Sequence, residues 1–100
     1  MTLSKTQSSF YRRLYVAHLV DAGIASVPAI VKATGMPRRT AQDTLGALAE
    51  LDIVCAFEKA KGERHNIGVY VIRDWGPIDP NWVAVHADRL REVLGYPLRP

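Results

Sequence analysis

The sequence predicts a mainly helical domain with one β-hairpin, an α+β fold in which a three-helix core is followed by the hairpin and a closing helix. Three observations carry this. Apolar residues recur at three- and four-residue spacing through residues 7–22 and 37–51, which is the phase of helices burying one stripe each, with a short helix bounded by its cap and stop residues at 27–34 between them. Two β-rich runs at 53–59 and about 64–74 flank a short connection containing Gly62, as a hairpin requires. Asp79-Pro80 then opens a last helical stretch over 80–94, with an acceptor cap followed by proline at the first helical position.

The first helix is stopped by Gly23. Phe10 and Leu14 are core candidates, and Tyr11, Tyr15 and His18 form a neighbouring stripe one turn apart. That second stripe widens the apolar face and suits either a broad core with tyrosine hydroxyls reaching water or a surface shared with a second copy. Ser26 is a good cap for the second helix, and Pro28 is tolerated in its first turn, where the amide it lacks has no intrahelical partner. That helix ends at Thr34-Gly35, and Pro37 presets the start of the next.

The third helix carries its information in two faces. Ala41, Leu45 and Leu48 line up toward a core, leaving Arg38, Arg39, Gln42, Asp43 and Gly46 on the other side. Arginine forks and glutamine amides match guanine O6/N7 and adenine N6/N7 edges. A short helix, a glycine turn and a longer helix with a basic N-terminus is the arrangement by which helix-turn-helix proteins reach the major groove. Asp52 sits where the chain turns sharply into the first strand, and aspartate tolerates a left-handed conformation better than most residues.

The hairpin has the character of a wing. Lys59, Lys61, Arg64, His65 and Asn66 cluster around Gly62 against Glu58 and Glu63, which suits contact with phosphates or the minor groove. Ile67, Val69 and Val71 alternate with Gly68, Tyr70 and Ile72, so the second strand is expected to be covered on both faces in its C-terminal half. In the last helix Trp82, His86, Arg89 and Val93 share one stripe, and Val83, Ala87, Leu90 and Leu94 the adjoining one, before Gly95 ends it. So wide an apolar arc needs something large to pack on. Tyr11, Tyr15, Trp82 and His86 are the candidates for a homodimer interface.

Composition bounds the function. One hundred residues, 48% of them hydrophobic, suit a single domain spanning 1–100 with one core. No run is long and apolar enough for a membrane span or a secretory signal, so the expected location is the cytoplasm. Cys55 is the lone cysteine and reads as a small core hydrophobe. His18, His65 and His86 have no metal-ligand spacing, and no nucleophile–base pair, carboxylate pair or phosphate-cradling glycine loop is present. The expectation is a non-enzyme without metal or cofactor. The net charge of +3 is modest, but residues 1–40 hold Lys5, Arg12, Arg13, Lys32, Arg38 and Arg39 against Asp21 alone, while the remainder is net acidic. That asymmetry matters if the fold gathers those positions on one face.

The segment Gly35-Met-Pro-Arg-Arg-Thr-Ala-Gln-Asp-Thr-Leu-Gly-Ala-Leu-Ala-Glu-Leu-Asp-Ile-Val54 resembles the recognition-helix region of bacterial winged helix-turn-helix regulators. Together with Val71-Ile-Arg-Asp-Trp-Gly-Pro-Ile-Asp79 and Leu94-Gly-Tyr-Pro97, it makes nearly the whole chain similar to a small family of bacterial winged-helix DNA-binding domains. The resemblance implies a DNA-binding transcriptional regulator with double-stranded DNA as partner. It would use Arg38, Arg39, Thr40, Gln42, Asp43 and Gly46 on the recognition helix and Lys59, Lys61, Arg64 and His65 on the wing. Three residues depart from the usual pattern. Pro37 replaces a serine cap, Asp52 replaces a glycine, and Asp43 puts a carboxylate where it would repel phosphate unless it meets a cytosine amino group. The competing class is a winged-helix module that binds a protein through the aromatic surface of its terminal helices.

Overall fold

Side-chain caps set where three of the four described α-helices begin, and a proline does so for the other. In the computed structural model, which describes residues 3–59 and 68–98, α1 spans Lys5–Asp21. It starts two residues before the apolar phase suggests because Ser4 and Gln7 form a reciprocal capping box. Its last turn closes at Ala22, and Gly23 leaves it at φ 96°. Ser26 Oγ accepts from the Ala29 amide at 3.2 Å and opens α2, Val27–Thr34. Gly35 ends α2 in the left-handed region.

The turn into the next helix is held from inside. The Thr34 hydroxyl donates to the Ile30 carbonyl at 2.7 Å and accepts from the Met36 amide at 3.1 Å, and both Thr34 and Met36 are buried. Helix α3 runs Arg38–Ala47 with Pro37 as its N-cap, one position earlier in role than the first helical turn where the sequence puts it. The continuous helix expected over 37–51 is corrected here, because its last turn, Leu48–Leu51, tightens into a 3₁₀ turn. This turn ends at Asp52, at φ 60° the non-glycine residue in the left-handed region among those described.

The hairpin pairs β1, Val54–Lys59, with β2, Gly68–Asp74, antiparallel, with Phe57 opposite Tyr70 and an irregularity between Val54 and Cys55. The Tyr70 amide also donates to the Ala25 carbonyl at 2.8 Å, which ties the hairpin to the segment entering α2. Coverage of β2 is thinner than its apolar composition suggests. Tyr70, Val71 and Ile72 are half-buried, while Val69, Arg73 and Asp74 are exposed, because the core lies against one face only. Helix α4, Pro80–Leu94, is capped by Asp79 and closed by Gly95.

The core forms where α1 is packed by α3, α4 and β2. Its fully buried side chains include Leu14, Leu19, Ile30, Leu48, Ile53, Val83 and Leu90. Tyr15 belongs with them: it is 2% exposed within one chain and its ring lies 5.7 Å from that of Tyr96. Its assignment to an interface between copies is therefore corrected, since the chain's own C-terminal segment already covers it. No helix among the described residues is long and apolar enough to cross a membrane.

Candidate nucleic-acid interface

Helix α3 is anchored from behind and bare in front. Ala41, Thr44, Leu45 and Leu48 are buried, and the Thr44 hydroxyl is occupied by the Thr40 carbonyl at 2.7 Å. Arg38, Arg39, Gln42, Asp43 and Gly46 are all exposed, and Thr40 is half-buried at the edge of that face. The structure thus brings these six positions together on one helix surface. Arg39 Nε lies 3.9 Å from a carboxylate oxygen of Asp43 one turn on, so the acid is matched by a neighbouring cation.

One flank of α3 faces α1. A groove of about 280 Å³ between them is lined by Ser9, Arg12, Arg13, Thr40, Asp43, Thr44 and Ala47. Arg13 Nη2 reaches Glu50 Oε2 at 3.1 Å across the two elements. Sequence reasoning did not place Arg12 or Arg13 at the site. The signal that could have found them was the surplus of cations in residues 1–40.

On the wing, Lys59 is exposed at the end of β1 opposite Gly68. Lys61, Arg64 and His65 lie outside the described residues. A Cβ on Gly68 would come within 2.8 Å of the Phe57 ring and 2.5 Å of the Glu58 carbonyl, so only glycine lets that ring lie over β2. Glu58 and Arg73 pair across the hairpin.

The remaining surface of interest is on α4. Trp82, 43% exposed, stacks on His86 with ring centroids 4.1 Å apart, and His86 Nδ1 is 2.7 Å from the Trp82 carbonyl. Val85 and Val93 are exposed along the same helix. Tyr11 is half-buried, tilted against Phe10. Cys55 is half-buried facing the core, and burial pushes its thiol up from the usual cysteine value. Among the described residues no group of three His, Cys, Asp or Glu side chains could hold a metal ion.

Residues 5–94 match the model of a family described as Winged helix-turn helix. The chain belongs to the winged helix-turn-helix family. A solved structure similar to it is that of a DUF2131 family protein from Shewanella amazonensis SB2B, 43% identical, with a TM-score of 0.88 over 95% of this chain and 91% of that one. No curated protein shows significant similarity to the chain. In winged helix-turn-helix terms, α2 and α3 are the two helices of the motif, α3 is the recognition helix, and β1 and β2 form the wing. Membership of this family points to DNA binding.

Proposed function

We propose that this winged helix-turn-helix protein is a sequence-specific transcriptional regulator that binds double-stranded DNA in the cytoplasm. Helix α3 enters the major groove, where Arg38, Arg39 and Gln42 read base edges, Thr40 and Gly46 meet the groove walls with Asp43 kept beside Arg39, and the basic wing rests on flanking phosphates. The observation that carries this reading is the division of α3 into a buried apolar face and an exposed face bearing two arginines and a glutamine. The protein acts by binding rather than by catalysis and needs no metal or cofactor. It works as a homodimer joined through Tyr11, Trp82 and His86, so that two recognition helices meet successive major grooves.

A second reading, a protein-interaction module, is favoured by the exposure of Trp82, Val85 and Val93 on α4. Titration of a random duplex at increasing salt, followed by selection from a genomic library, separates the two. The regulator gives a steep salt slope and a preferred sequence. Absence of binding even at low salt rejects it and leaves the interaction module.

A further inference from the structure

We infer that the groove between α1 and α3 seats a DNA backbone phosphate, with Arg12 as its principal cation. The inference rests on the DNA-binding reading and adds a second element, α1, to the interface. The groove runs along the flank of α3 that Thr40, Asp43, Thr44 and Ala47 form. When the outer face of α3 lies in the major groove, the backbone bordering that groove passes along the helix flank. Ser9, Arg12 and Arg13 stand on the facing stripe of α1, and exposed Lys5 lies one turn before Ser9.

Charge decides what fits. Asp43 on the opposite wall lies within reach of Arg39, and Arg13 is held by Glu50. Arg12 lines the groove, is half-buried and enters none of the ion pairs among the described residues, so its charge is left for a ligand there. A guanidinium in a groove that Ser9 and Thr40 also line suits a phosphate, which takes charge-assisted hydrogen bonds from the cation and neutral ones from hydroxyls. Glu50 restrains the second cation, so removing its charge should make Arg13 available to the same backbone.

The test is the salt dependence of binding to a random duplex and to a selected site by the full chain and two variants. Each phosphate contact contributes a slope of about −0.9 in log K against log salt. Arg12→Gln is expected to lower the slope magnitude by about one, to reduce the sensitivity to a rise from 50 to 200 mM salt by about threefold to fourfold, and to do so equally on both duplexes. Glu50→Gln is expected to raise the slope magnitude by about one. An unchanged melting temperature shows that neither variant acts through folding. The inference is overturned if Arg12→Gln leaves both slopes unchanged while Arg38→Ala weakens binding, a result that keeps the recognition helix and removes α1. A selective loss on one sequence overturns it too, since Arg12 would then read bases. A wild-type chain that binds no duplex at low salt removes both the inference and the reading beneath it.

Discussion

Arg39 and Asp43 face each other one turn apart on the bare side of the recognition helix, 3.9 Å from Nε to the carboxylate. Both side chains are largely exposed, so the pair contributes little to stability, and its consequence is for binding. The acid that stands where winged helices commonly carry a basic or neutral residue is offset locally by Arg39. Asp43→Asn should therefore strengthen binding to random duplex, because it removes a carboxylate that repels the phosphate backbone while Arg39 keeps its place on the same face. A gel-shift or anisotropy titration at several salt concentrations checks this, and weaker binding would mean that Asp43 itself holds a base.

Gly76 backs directly onto Asp52. It sits at φ 59°, a Cβ there would collide with the Asp52 carbonyl, and its amide is held by Asp74 Oδ1 at 2.7 Å. Gly76→Ala combines a disfavoured backbone conformation with a backbone clash and should cost about 2–4 kcal/mol in denaturant unfolding. Asp52 itself holds a left-handed conformation that glycine adopts freely. Asp52→Gly should accordingly be neutral or stabilising by up to about 1 kcal/mol, and a loss of stability would show that its side chain does more than occupy the turn.

Tyr15 and Trp82 should separate cleanly when each is changed to glutamate. Tyr15 is enclosed in one chain, so Tyr15→Glu replaces a packed ring by a buried charge and should abolish cooperative unfolding as read by circular dichroism. Trp82 stands out from α4, so Trp82→Glu should keep the wild-type fold. If α4 joins two copies, the wild type sediments as a dimer at micromolar concentration and Trp82→Glu as a monomer. A monomeric wild type would contradict the paired recognition helices.

Burial raises the Cys55 thiol, and with it the pH at which the reactive thiolate forms. Alkylation at neutral pH should be slower in the folded protein than in denaturant. As pH rises past the ordinary thiol value, the unfolded chain loses its proton before the folded one. Stability should therefore fall over that window and remain constant below it. Equal alkylation rates in the two states would place Cys55 at the surface.

The fold class was legible because its punctuation is local. Ser26, Gly35, Pro37, Asp79 and Gly95 act on their own backbone neighbours, and the spacing of Ala41, Leu45 and Leu48 states which side of α3 turns inward. What escaped depends on distant parts of the chain. Tyr15 lies beside the main core stripe of α1, and only the return of Tyr96 decides that it is inside. Periodicity over four residues does not distinguish a 3₁₀ turn from an α-helical one, so the tightening at Leu48–Leu51 left no sequence mark. Arg12 and Arg13 join the candidate site through the packing of α1 on α3, which no residue spacing within α1 records.

The central claim is that the exposed face of α3 reads bases. Its most direct test compares Arg38→Ala and Gln42→Ala with wild type on the best selected duplex and on a scrambled one, at fixed salt and with melting temperatures recorded. Each substitution should cost about 1–3 kcal/mol on the selected site, relax specificity at one base position, and leave the melting temperature unchanged. Unchanged binding by a folded variant, or equal losses on both duplexes, would contradict the claim.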